Sequence, residues 1–144
     1  MAGMSVMSIA ASGLHAQRVR MEVLSSNLAN ISTTRGPDGG PYRRQAAVFR
    51  AVPVEEDNFQ SVLDERRRLY GVEVEKVEPD NREPLMVYDP DHPDADSQGF
   101  VAMPNINLVE EMTDLMNAAR SYEANLAALQ TAKNMVQLAL SLGH

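Results

Sequence analysis

The chain has 144 residues, a net charge of −7 and no cysteine, with 44% apolar residues. That length suffices for one ordinary domain with a core. The missing cysteines exclude a disulfide framework, a thiolate metal site and a cysteine nucleophile, and the acidic balance argues against nucleic acid, whose phosphates need a concentrated positive field.

The first element in chain order is a helix. Met7, Ala10, Leu14, Gln17, Met21, Leu24, Leu28 and Ile31 alternate at spacings of three and four, a narrow seam of the kind a coiled coil uses. Ile9, Ser12, Ala16, Val19 and Val23 form a smaller row beside it. The segment resembles a weak secretion signal, but no Lys or Arg precedes Arg18, and the register runs unbroken past residue 28. The expectation is a retained helix over about 1–34. It dissolves into "LSSNLANISTTRGPDGGPYRR". There Asn27 and Asn30 stand three apart, read equally well as helix terminators or as hydrogen-bonding groups across a helix–helix joint. "GPDGGP" is a turn, lacking the Lys-Ser/Thr that a phosphate loop needs.

The middle, 35–104, changes character. "AAVFRAVPV", "YGVEVEKVE" and "PLMVY" are short and β-branched, so strands are expected. Six prolines between Pro53 and Pro104 keep any sheet small and its edges guarded. "FQSVLDERRRL" fits a loop or a short helix, with Arg66–Arg68 paired locally to Asp64 and Glu65. Most of the charge lies in this region: residues 1–31 sum to +1, 32–105 to −6 and 106–144 to −2.

The last element, 105–144, has the cleanest rhythm. Leu108, Met112, Leu115, Ala119, Tyr122, Leu126, Leu129, Lys133, Val136 and Leu140 keep the alternation with one charged intruder. A second row, Ala124, Ala128, Ala132, Met135, Ala139 and Leu142, is mostly small. Asn107 is placed to cap, Glu110 stands three residues later, and Glu111 and Asp114 suit the positive end of the helix dipole. Gly143 closes the pattern. The resulting fold class is mainly α with a small β-rich insertion: long N- and C-terminal helices paired as a coiled coil, with short strands and loops between them.

Scale then bears on function. Leu108 to Leu140 makes about 50 Å of helix at 1.5 Å per residue, whereas a compact chain of this length spans roughly 37 Å. The N-terminal helix is too short to cover both rows. Each Leu or Met left bare forgoes about 1.5–3 kcal/mol, so the uncovered stripe points to partner chains.

Chemistry-bearing patterns are few. "DPDHPDADSQGF" gathers Asp89, Asp91, His92, Asp94 and Asp96, an oxygen-rich cluster of a kind that can hold Ca²⁺. Set against a calcium loop starting at Asp94, position 12 falls on Asn105 where a bidentate Glu is required. A turn-rich solvated loop is the plainer reading, with a calcium-binding adaptor using 89–96 as the alternative. His15, His92 and His144 show no ligand spacing, and no nucleophile triad or phosphate loop is present. Paired acids such as Glu110–Glu111 read as surface or helix-start residues. No catalytic, cofactor-binding or metal residues are assigned, and no run of about 18 apolar residues crosses a membrane.

"SSNLANISTT" closing a heptad helix resembles the signature of bacterial flagellar axial proteins. "TTRGPDGGPYRRQ", "YDPDHPDADSQGFVAMPNINLVEEM" and "AARSYEANLAALQTAKNM" narrow the resemblance to basal-body rod proteins of the proximal rod. Leu24, Asn27, Leu28, Ala29 and Asn30 match the N-terminal signature, and Tyr122, Glu123 and Asn125 the C-terminal one. Ser25 and Ser26 stand where the family more often has Asn or Ala. The resemblance implies a structural subunit exported through the flagellar type III apparatus without a cleaved signal peptide. It further implies assembly in the periplasm, with other copies and neighbouring rod proteins, into a hollow torque-transmitting shaft. The expected subunit-interface residues are Met7, Leu14, Met21, Leu24, Asn27, Leu28, Asn30 and Ile31 on the first helix. On the second they are Leu108, Met112, Leu115, Ala119, Tyr122, Leu126, Leu129, Val136 and Leu140. Nucleic acid and small-molecule substrates are not expected as partners.

Overall fold

The computed structural model describes residues 2–54 and 68–143. Its elements in order are α1 (Ala2–Ala29), β1 (Gln45–Pro53), β2 (Tyr70–Pro79), β3 (Leu85–Tyr88), β4 (Phe100–Met103) and α2 (Leu108–Leu142). Most of "FQSVLDERRRL", with Asp64, Glu65, Arg66 and Arg67, lies outside the described residues.

The two helices, of 28 and 35 residues, pack against each other. Gly13 abuts Asn125, and fourteen residues on, Asn27 reaches Glu111, fourteen residues back along α2, so the pair is antiparallel. α2 begins where the sequence signals it. The Asn107 side chain accepts from the Val109 and Glu110 N–H groups, satisfying two of the first orphan donors. The capping box is only half formed, because Glu110 turns to Arg82 instead of back to the cap. At the other end Gly143 has φ −82 and passes its N–H to Ala139 O. It continues the helical ladder and makes no left-handed cap.

α1 ends at Ala29, earlier than the predicted 34, so Asn30 and Ile31 lie in the turn beyond it. Asn30 turns its amide back onto Ser26 O at 2.9 Å and takes the Thr33 hydroxyl on its Oδ1. The chain then loops through Gly36–Gly40, with Gly39 at φ +82, and returns through a Tyr42 N–H to Thr33 O bond.

β1 and β2 form one antiparallel two-stranded sheet, with a register shift between Val48 and Phe49; β3 and β4 form another. The three expected strands are present, and β4 is additional. The longer hairpin packs on α1. Ser12 Oγ accepts the Val72 N–H at 3.1 Å, and a Cβ on Gly71 would stand 3.0 Å from that oxygen. The smaller row of α1, which includes Ser12 and the fully buried Ala16, therefore faces the hairpin. α1 is thus covered on two sides, by α2 and by the β1–β2 hairpin. No described helix is long and apolar enough to cross a membrane.

Candidate functional site

The meeting point of α1's last turn, the start of β1, the end of β2 and the first turn of α2 is a polar joint. Glu111 and Asn27 are both 0% exposed there. Asn27 Nδ2 donates to Glu111 Oε2 at 3.1 Å and to Gln45 O at 2.8 Å. Its Oδ1 accepts the Gln45 N–H at 2.9 Å and the Tyr42 hydroxyl at 2.9 Å. The side-chain amide is thereby saturated. The Arg44 guanidinium pairs with Glu111 through Nε, with Asp80 through Nη1 at 3.3 Å and with Asp114 through Nη2 at 3.9 Å. Arg82 extends the network to Asp80 at 3.1 Å and Glu110 at 3.2 Å, and Arg20 reaches Asp114 at 4.0 Å. A buried carboxylate of this kind persists only when paired and hydrogen-bonded.

Both readings of the paired asparagines are realised, one at each residue: Asn30 terminates the helix and Asn27 bridges a helix–helix joint. The helix-start reading of Glu110–Glu111 holds for both, but surface placement holds only for Glu110. Glu111 is the largest fully buried side chain. Sequence reasoning missed it because its main partner, Arg44, lies 67 residues away.

From this joint the helices run together along small and polar residues. Ala10, Gly13, Leu24 and Asn27 are buried on α1, and Glu111, Ala118 and Ala132 on α2. The contact is close: a Cβ on Gly13 would stand 2.6 Å from Asn125 Oδ1. The interior row of α2, Glu111–Ala118–Asn125–Ala132, repeats every seven residues, one position before the greasiest row, Met112–Ala119–Leu126–Lys133–Leu140. Small residues win the interior because they let the backbones approach and pack at native density.

The expected interface residues therefore divide. Leu24 and Asn27 are buried within the chain. Met7, Leu14, Met21, Leu28, Asn30 and Ile31 on the α1 side, and Leu115, Ala119, Tyr122, Leu129 and Val136 on α2, are half-buried. Leu108, Met112, Leu126 and Leu140 are exposed, together with Val109, Met116, Met135, Leu138 and Leu142. In the second row of α2 only Ala132 is buried. The stripe with the strongest apolar rhythm is therefore split, its Leu108, Met112, Leu126 and Leu140 facing outward and its other apolar members half-buried.

The acidic loop spends its oxygens internally. Asp94 Oδ2 accepts the Thr34 hydroxyl at 2.6 Å, and Oδ1 takes Arg35 Nε at 2.5 Å. The Thr34 hydroxyl, then the Arg35 guanidinium, hold the Asp94 carboxyl below the usual carboxylate range. Asp96 Oδ1 accepts the Gln98 and Phe100 N–H groups, a turn-setting arrangement. Among the described residues no three acidic or histidine side chains converge as metal ligands.

Comparison with known proteins follows the same elements. A family model described as "Flagella basal body rod protein" matches residues 7–37, which include most of α1. Another, "Flagellar basal body rod FlgEFG protein C-terminal", matches 97–142, which include β4 and α2. Three similar proteins are each named flagellar basal-body rod protein FlgC. That of Borreliella burgdorferi is 42% identical over 96% of this chain and 95% of its own length. That of Bacillus subtilis is 40% identical over 95% of both chains, and that of Salmonella typhimurium 40% identical over 99% of both.

Proposed function

Because this chain belongs to the family of flagellar basal-body rod proteins, we propose that it polymerises through its two terminal helices, the outward stripe of α2 sealing against the helices of neighbouring subunits. It is a structural subunit of the flagellar basal-body rod, a family that assembles with other rod proteins.

The observation that supports the polymerisation reading is the bare row on α2. Leu108, Met112, Leu126 and Leu140 are exposed in a chain whose own first helix is packed elsewhere on α2. Full burial of a Leu or Met stabilises by about 1.5–3 kcal/mol, so a half-exposed one gains about 1 kcal/mol more on contact. Summed along the helix, that favours lateral assembly over isolation. In this reading the 3/4-spaced residues that the chain does not bury itself, those from Met7 to Ile31 apart from Ala10 and Leu24 and those from Leu108 to Leu140, meet their counterparts as a coiled coil in the inner layer of a hollow shaft. The acidic middle faces outward, where like charge limits sticking. The shaft belongs to the proximal rod and transmits torque, and its subunits reach the periplasm through the flagellar type III apparatus without losing a signal peptide.

The test is Leu126→Asp, at a residue 38% exposed in the single chain. The isolated variant should stay folded and lose only the burial that Leu126 already has, about 1–2 kcal/mol, while cells carrying it should fail to build rods and to swim. Normal swimming refutes helix-mediated polymerisation.

A further inference from the structure

Two apolar patches lie at opposite ends of α2. The first is one face of the β3–β4 hairpin. The register pairs Tyr88 with Phe100 and Met86 with Ala102, so Met86, Tyr88 and Phe100 share a side of the sheet. The Tyr88 and Phe100 rings meet edge to face, with centroids 5.4 Å apart and planes at 66°. Gly99, at φ +85, lets the loop close beneath them, since a Cβ there would stand 2.9 Å from Tyr88 Cε2. This face is fixed in place, yet Met86 is 58% and Tyr88 65% exposed. Neither strand has a charged residue. Val101, on the other side of the sheet, is buried, while its partner Val87 and neighbouring Leu85 on that side stay 45% and 48% exposed, so the hairpin is anchored through β4 and β3 is open on both faces.

The hairpin sits at the start of α2: Arg82, just before β3, pairs with Glu110, and Asn105 Nδ2 donates to Glu83 O at 2.9 Å. The second patch is at the far end. The antiparallel register set by Gly13–Asn125 and Asn27–Glu111 brings Ala2 opposite a residue near 136. The last turns of α2 therefore project past α1. Leu138, Leu140 and Leu142 there are 62%, 64% and 86% exposed, and residues 134–143 are uncharged. At 1.5 Å per residue the two patches lie about 50 Å apart along the helix axis.

We propose that the Met86–Tyr88–Phe100 face is the docking surface for the uncharged, leucine-rich C-terminal helix end of the next subunit along the rod. The proposal rests on the rod-subunit reading. A donor patch at one end and an acceptor patch at the other make a heterologous contact, which propagates along an axis instead of closing on itself. Charge selects the occupant: Asp89, which follows Tyr88 and bonds Gly99 O through its N–H, and Asp96, whose Oδ1 accepts the Phe100 N–H, lie beside the platform and repel an acidic segment, but not a neutral helix end. The platform presents on the order of 300 Å², far below the roughly 1,200 Å² of a stable pair. The contact therefore holds only beside the lateral contacts of a polymer.

The experiment places a photo-crosslinking p-benzoylphenylalanine at Tyr88 in cells that build basal bodies, with Lys76 as the exposed control position. Adducts in isolated basal bodies should map to residues 134–143 of another copy of this chain, at least tenfold above the control. Adducts confined to this chain's own hairpin, to another surface, or no stronger than the control overturn the proposal. A second arm uses Met86→Ser/Tyr88→Ser, which should lower rod yield severalfold while the isolated chain still unfolds in one cooperative transition. If that variant builds rods normally in the same cells where Leu126→Asp does not, the docking proposal falls and the polymerisation reading stands.

Discussion

Removing Arg44 should cost more than removing the acid it pairs with. Its side chain is 13% exposed and that of Glu111 is 1% exposed. In Arg44→Met, Glu111 keeps only the Asn27 amide as a partner, leaving a buried carboxylate without a counter-charge, a loss of about 3–5 kcal/mol. In Glu111→Gln the cation keeps Asp80 at 3.3 Å and Asp114 at 3.9 Å, so the loss is that of one charge-assisted hydrogen bond, about 1.5–3 kcal/mol. Replacing both, as Arg44→Met/Glu111→Leu, removes the stranded charge and should cost less than Arg44→Met alone. Urea unfolding followed by far-UV circular dichroism measures each. At roughly 2–4 °C per kcal/mol for a chain of this size, Arg44→Met should lower the melting temperature by roughly 10 °C. Equal costs for the two single variants, or an additive double variant, refute the argument from burial.

Gly13→Ala should destabilise the isolated chain by about 1–2 kcal/mol, because its Cβ forces Asn125 aside; pairing it with Asn125→Ala should recover most of the loss in thermal melts. The Asp94 carboxyl titrates below its ordinary value of 3.8 in the folded chain, so its tie to Thr34 and Arg35 is complete above that value. It is lost as pH falls through the lower, folded one. Hydrogen exchange in 33–36 and 92–96, taken relative to the intrinsic rate at each pH, should rise stepwise with acidification in the parent and stay flat across the same range in Asp94→Asn.

Local rules reached the helices and their punctuation. The 3/4 alternation located both helices, Asn107 announced the start of α2, and the prolines kept the sheets to two strands each. β4, no shorter than β3, escaped because its first residue, Phe100, was read into the turn-rich acidic loop that precedes it. The choice of interior escaped for a different reason. Periodicity ranks rows by greasiness, whereas the close approach at Gly13 and the Asn27–Glu111 bond select a row of small and polar residues. A seven-residue repeat of Ala118 and Ala132 around Asn125 was the available signal. Asn27 and Glu111 could not be joined locally at all, being 84 residues apart. The motif resemblance supplied what periodicity lacked, the identity of the assembly.

The antiparallel register puts both chain ends at the tip remote from the Asn27–Glu111–Arg44 joint. A pull on either terminus therefore loads the helix pair like a zip, opening one turn at a time along weakly gripping alanines and glycine, instead of sliding both helices at once. Resistance climbs toward the charged joint, which yields last.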